Sequence, residues 1–235
     1  MRVMFAITRR ELGAYFLSPI AYVVLAGFVA LSGLLFFNGF FIERQARMDG
    51  FFQNLPLVFL FFSPALAMRL LAEERGTGTI ELLLTMPVRD RDVVLGKYAA
   101  TLVVLVVALI ATLPFAITVS QLGDLDMGPV LGGYLAAFLL GALYLSAGLF
   151  ASSITGTQVV AFIAGLLLCF GIFALQWFVE PSGGAGRALL YASPSFHFHN
   201  LSQGYLELRT VVYFVSAIAL FVVLSIQALE TRKWR

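Results

Sequence analysis

Long apolar runs alternate with short polar islands along this chain, and the runs have membrane length. Residues 20–42, 51–71, 93–121, 130–151, 158–178 and 210–229 hold between them only two charged side chains, Arg69 and Lys97. About 20 consecutive apolar residues are enough to cross the hydrocarbon core as a helix. The pattern therefore predicts an all-α, polytopic membrane protein of six spans in one domain, residues 1–235.

Two boundaries need local signals. From Met127 to Val179 there is no charge in 53 residues, far more than one span requires. The small polar cluster Ser152-Ser153-Ile154-Thr155-Gly156-Thr157 reads as the tight turn that divides them. Ser18-Pro19 starts the first span, because proline at an early helical position loses no hydrogen bond. Pro56 and Pro64 are expected to kink the second span, and Arg69 near its end to reach the headgroups. Asp90 or Asp92 is expected to cap the third. Gly133, Ala137 and Gly141 repeat every four residues in the fourth and allow a close helix approach, either within the bundle or with a second subunit.

The polar segments are less uniform. Residues 1–17 place Met4, Ile7, Ala14 and Tyr15 on one helical face with Arg2 and Arg9 opposite, as in a helix lying in the interface plane. Glu11 breaks that apolar face. It is either a surface carboxylate on a frayed helix or one that pairs with a basic group on assembly. Residues 180–209 begin with a turn, Glu180-Pro181-Ser182-Gly183-Gly184, and are read as an outer segment with a short re-entrant helix. His197 and His199 lie there. With no cysteine or carboxylate cluster to join them, they read as interfacial or packed side chains rather than metal ligands. The tail, residues 230–235, is basic, with Trp234 placed as an interfacial anchor.

The island at residues 73–87 differs from the other polar segments. Gly76 and Gly78 permit a sharp turn, and Thr77 or Thr79 can cap a helix. Ile80, Leu83 and Leu84 recur at helical spacing with Glu81 off that edge, and Pro87 ends the run. A surface helix of about two turns is expected, too short to be stable alone, so it must dock on the rest of the chain or on a partner.

Composition agrees with this pattern. The chain is 60% hydrophobic with 23 Phe, and only 12% of its residues are charged, about half the level of soluble domains. The lysines and arginines are dispersed, which gives no stripe for nucleic acid. Cys169 is the single cysteine and excludes an internal disulfide. The run from Leu12 to Ile42 exceeds a signal-peptide core and reads as a retained anchor. Eleven Lys and Arg fall on the side with both termini and the island, against four on the other. The positive-inside rule then places both termini in the cytoplasm.

The chemistry is sparse. No nucleophile–base pair stands out, and no ionisable residue lies at mid-depth, as a proton- or ion-coupled carrier would need. There is no phosphate-binding Gly-x-x-x-x-Gly-Lys-[Ser/Thr] loop; Gly96-Lys97-Tyr98 lacks the upstream glycine and the hydroxyl. Energy for uphill movement would have to come from a partner at the island.

The segment from Glu74 to Pro87, followed by Val94-Leu95-Gly96-Lys97-Tyr98, resembles the coupling helix and third-span start of type-2 ABC exporter permeases. The stretch Arg10-Glu11-Leu12-Gly13-Ala14-Tyr15-Phe16-Leu17-Ser18-Pro19-Ile20-Ala21-Tyr22 is similar to the opening of the gliding-motility-type (GldF-like) branch. The resemblance implies a permease in the bacterial inner membrane, itself not an enzyme. Its partners would be a cytoplasmic ABC ATPase dimer, which holds the ATP and Mg, and a second permease copy or paralogous subunit. A companion with a large extracytoplasmic domain and membrane lipid complete the set. Carried over, Glu74, Gly76, Thr77, Glu81, Leu83, Leu84 and Pro87 would form the ATPase contact, with Arg10 and Glu11 on the interfacial helix beside it. The implied function is ATP-driven export. Two rival readings are a subunit that transmits force to a companion outside the membrane without moving a solute, and a passive scaffold in which the island only seals the bundle.

Overall fold

A computed structural model describes residues 2–43, 47–78, 89–123, 125–178, 191 and 193–231. Within them the chain is helical. In order the helices are α1 (Arg2–Leu17), α2 (Pro19–Glu43), α3 (Asp49–Ala67), α4 (Ala72–Gly76), α5 (Asp90–Ala111), α6 (Leu113–Leu122), α7 (Met127–Ile154), α8 (Gln158–Ala174), α9 (Pro194–Ser202) and α10 (Leu208–Glu230). One 3-10 turn, Leu175–Phe178, extends α8. Six stretches among the described residues are long and apolar enough to cross a membrane: Pro19–Phe40, Asp49–Gly76, Asp90–Leu122, Met127–Ile154, Gln158–Trp177 and Leu208–Glu230. The all-α, six-span expectation matches this architecture.

The bundle is built around α7, which packs on α3, α5, α8, α9 and α10. Its glycines explain how so many helices fit. A methyl group at Gly133 would run into the Phe52 ring of α3, and one at Gly132 into the Leu201 carbonyl of α9. At Gly141 it would sit 2.9 Å from Leu105 Cδ1 of α5, and at Gly148 2.7 Å from Ala67 Cβ of α3. The small-residue stripe thus faces the chain's own bundle. Around this centre α2, α8 and α10 turn large apolar side chains outward, among them Val23, Leu34, Val159, Leu167, Val212 and Leu220. Outward apolar side chains are what a lipid-facing helix presents.

Several local expectations are corrected. The third span is two helices, with a break at Thr112. Its hydroxyl donates to Leu109 O at 2.6 Å, and Pro114 occupies the first turn of α6, where its missing N–H costs nothing. The break brings Phe115 among Phe36, Phe37 and Phe51, with ring centroids 5.6–6.3 Å apart. Asp90 and Asp92 do not cap α5; Arg89 holds that position and the two carboxylates lie in the first turn, where they complement the helix dipole. Arg69 has partners within the chain that the apolar pattern did not indicate. Its guanidinium lies 5.0 Å over the Tyr15 ring and 3.7 Å from Glu73 Oε2.

The division of the uncharged run falls where Ser152 to Thr157 predicts, with α7 ending at Ile154 and α8 starting at Gln158. Pro56 and Pro64 lie inside α3. The turn at Glu180 to Gly184 and the tail with Trp234 lie outside the described residues. His197 is packed: Nε2 donates to Tyr191 O at 3.0 Å, Nδ1 lies 3.2 Å from Thr210 Oγ1, and the ring stacks on Tyr213 at 4.3 Å. His199 is paired with Gln203 at 3.0 Å.

Candidate functional site

Three polar joints meet where α3 runs into the island. The first is a lysine held by two carboxylates. Lys97, two turns into α5, is 3% exposed. Its Nζ lies 2.9 Å from Glu11 Oε1 on α1 and 2.8 Å from Glu74 Oε1 on α4. An ammonium taken out of water is stable only when oppositely charged groups and hydrogen bonds replace its hydration, and the three N–H donors of lysine suit two carboxylates at once. Glu11 therefore takes the second of its two expected roles: it pairs with a basic group on assembly.

The face of α1 that makes this contact comprises Met4, Ile7, Thr8, Glu11, Leu12 and Tyr15, with Ala14 exposed rather than buried. Helical spacing of three and four residues brings these side chains to one side. Gly96 makes room for them. A methyl group there would lie 2.9 Å from Ile7 Cγ2 and 3.0 Å from Met4 O, and Thr8 Oγ1 donates to Gly96 O at 3.1 Å.

The second joint runs beside the first. Tyr15 Oη donates to Leu66 O at 2.8 Å, and Arg69 stacks on the same ring while approaching Glu73. Burial pushes the Tyr15 phenol well above its ordinary pKa, and the nearby Arg69 charge offsets only part of that rise. The hydroxyl therefore remains a donor.

The third joint is Ser152, in the last turn of α7. Its Oγ accepts from Leu71 N at 3.1 Å and Ala72 N at 3.0 Å and donates to Met68 O at 3.1 Å. Leu71 and Ala72 start α4, where backbone N–H groups have no partner inside the helix. One buried hydroxyl from another helix supplies what a local capping residue would normally supply. Three residues on, Arg75 Nη1 donates to Thr155 O at 3.2 Å.

The expected site residues divide accordingly. Glu74, Gly76 and Thr77 are near the joints, and Gly76 has a different local role from the one read in the sequence. Gly76 is the last residue of α4, not a turn; its missing Cβ leaves 3.2 Å to Gly156 O. The turn falls at Gly78, whose φ of 72° favours glycine. Thr77 closes α4 at its C-terminal end, its hydroxyl donating to Glu73 O at 3.0 Å; Thr79, the other capping residue expected, and the helix either would cap lie outside the described residues. Glu81, Leu83, Leu84 and Pro87 lie outside the described residues. On α1, Glu11 faces inward and Arg10 outward. Sequence reasoning missed Lys97, Ser152 and Tyr15 as members of the site. The available signal for Lys97 was its isolation as a charge within an apolar run.

Helix count, span length and absence of strand among the described residues define the class: a polytopic all-α membrane protein in which residues 71–75 are fastened to several helices. The sequence matches the family model of the ABC-2 family transporter proteins over residues 41–234. The chain belongs to that family, and is thus the membrane subunit of an ABC transporter and not itself the ATPase. Comparison with curated proteins gives no match.

Proposed function

We infer that this chain is the permease of an ATP-driven exporter and that residues 73–87 couple it to a cytoplasmic ATPase dimer. The observation that carries this reading is the fastening of residues 71–76 to α1, α5 and α7 through Lys97, Ser152 and Arg75. A push on the island would be delivered to three helices together, as a rigid-body shift requires. Glu74, Gly76 and Thr77 would stand at the base of the ATPase contact, and Glu81, Leu83, Leu84 and Pro87 would complete it. ATP and Mg would reside on the partner. Both termini would face the cytoplasm of a bacterium, with the chain in its inner membrane and a second permease copy or paralogous subunit alongside. The opening from Arg10 to Tyr22 supports placement in the gliding-motility-type branch.

A second reading has an observation of its own. The small-residue face of α7 is filled by α3, α5 and α9 of the same chain, so a solute path would have to run between two permease halves. If those halves close tightly, the subunit transmits force to an extracytoplasmic companion and moves no solute.

Co-purification tests the coupling. An ABC ATPase should be captured by the wild-type chain and lost in the Glu81→Arg, Leu84→Asp double variant, with that variant still folded in detergent. Equal capture by both would move the contact elsewhere, and no ATPase with either would leave the scaffold.

A further inference from the structure

The single acidic residue of α1 is turned inward, and this changes what the helix shows outside. With Glu11 committed to Lys97, the outward face carries the exposed cations Arg9 and Arg10. They are interleaved with apolar side chains left exposed among the described residues: Val3 is 42% exposed, Phe5 70% and Leu17 87%. At 100° per residue Phe5, Arg9 and Phe16 fall on one strip and Val3, Arg10 and Leu17 on another. A short helix bearing arginines among aromatic and aliphatic side chains matches the chemistry of an anionic leaflet. The rings and aliphatic chains enter the acyl boundary, and the guanidinium groups stay among the phosphates.

The inward face of the same helix ends on the island. Glu11 and Glu74 share one ammonium, and Tyr15 and Glu73 share one guanidinium. Two parallel links therefore join α1 to α4 side by side. Any force that seats α1 in the headgroups acts on residues 73–77 through these links.

We propose that the outer face of α1 binds anionic phospholipid and that the Glu11–Lys97–Glu74 bridge relays this binding to the island. This holds whether or not an ATPase docks there. Seating α1 holds Glu11 in place, which holds Lys97 between its two partners, which holds α4. The island is then better ordered in an anionic bilayer than in a neutral one.

The test uses the full chain in nanodiscs of phosphatidylcholine, with and without phosphatidylglycerol. Amide hydrogen exchange is read over residues 72–78. A spin-labelled phosphatidylglycerol, compared with its phosphatidylcholine counterpart, reads lipid preference. Each surface arginine is expected to contribute about fivefold to that preference at low salt. In the wild type, anionic lipid should slow exchange in this segment severalfold. Arg9→Gln with Arg10→Gln should lower the preference and remove the slowing. Glu74→Gln leaves Lys97 paired with Glu11 and so keeps the fold; it should retain the lipid preference and lose the slowing. Arg209→Gln, at the start of α10, should change neither. Equal exchange in the two bilayers for the wild type would overturn the proposal, as it would if a protein partner rather than lipid covers this face. Slowing that survives in the double arginine variant or in Glu74→Gln would also overturn it.

Discussion

Lys97 Nζ and Glu74 Oε1 are 2.8 Å apart, which ties a turn near the base of α5 to the start of a segment whose remainder is polar and glycine-broken. The same ammonium holds Glu11 from α1, so three segments distant in sequence depend on one buried cation. Removing the cation alone should be costly. Lys97→Met would leave two largely buried carboxylates facing each other, and breaking such a pair costs about 3–5 kcal/mol. Thermal unfolding in detergent can be followed with a thiol-reactive dye, since Cys169 is the single cysteine and fully buried. The expected result is a large drop in Tm for Lys97→Met and recovery of most of it when Glu11→Gln and Glu74→Gln are added. A triple variant no more stable than the single would show that the charges are not the cause.

Ser152 carries a separate expectation. Its hydroxyl serves two backbone donors and one acceptor at the α3–α4 junction. Ser152→Ala leaves all three buried groups without that partner, and unsatisfied buried groups cost about 1–3 kcal/mol each when no water replaces the bond. The same dye assay should show a lowered Tm. Ser216→Ala, which removes a hydroxyl that only bonds Tyr213 O one turn back on an exposed face, should leave Tm unchanged.

Glycine substitutions separate packing from helix propensity. At Gly148 an added methyl would meet Ala67 Cβ at 2.7 Å. That atom is fixed to the α3 backbone and cannot swing aside, so Gly148→Ala should destabilise by about 1–3 kcal/mol through overpacking. At Gly13, on the exposed face of α1, nothing lies within 4 Å. Gly13→Ala should stabilise by up to about 1 kcal/mol, because alanine is the better helix former. Opposite shifts in Tm for the two variants are expected. A loss at both would mean that the outer face of α1 is covered in the assembled protein.

These contrasts indicate which features a sequence can reveal. The six spans were legible because charge is absent over membrane-length runs, and the turn at Ser152 to Thr157 because small polar residues interrupt such a run. The break at Thr112 was not read, although Pro114 marks it, because the run stays apolar on both sides. The joints were hidden for a different reason. Glu11 and Lys97 are 86 positions apart, and periodicity reports which face a residue occupies, not which helix will cover it. The small-residue stripe shows the same limit: spacing gave Gly133 and Gly141 a close neighbour, and only packing identified it as Phe52 and Leu105 of this chain. The short helix α4 was not legible because its run of charged residues, Glu73 to Arg75, reads equally well as loop or helix.

Tyr15 makes the last joint testable by pH. The residue is 2% exposed and its hydroxyl donates to Leu66 O, a bond worth about 1 kcal/mol. Tyr15→Phe should therefore lower Tm modestly at neutral pH. Burial raises the folded-state pKa of the phenol above the unfolded value of about 10. The unfolded chain then loses this proton first on titration with base, so the native state binds more protons than the unfolded one. Stability falls as pH rises under that condition. The contribution is fully present below about pH 10 and is lost above it. The Tm of the wild type should thus decline more steeply than that of Tyr15→Phe across the alkaline range, and the two curves should converge. Parallel curves would mean that water reaches the phenol and that α1 is not held against α3 through this ring.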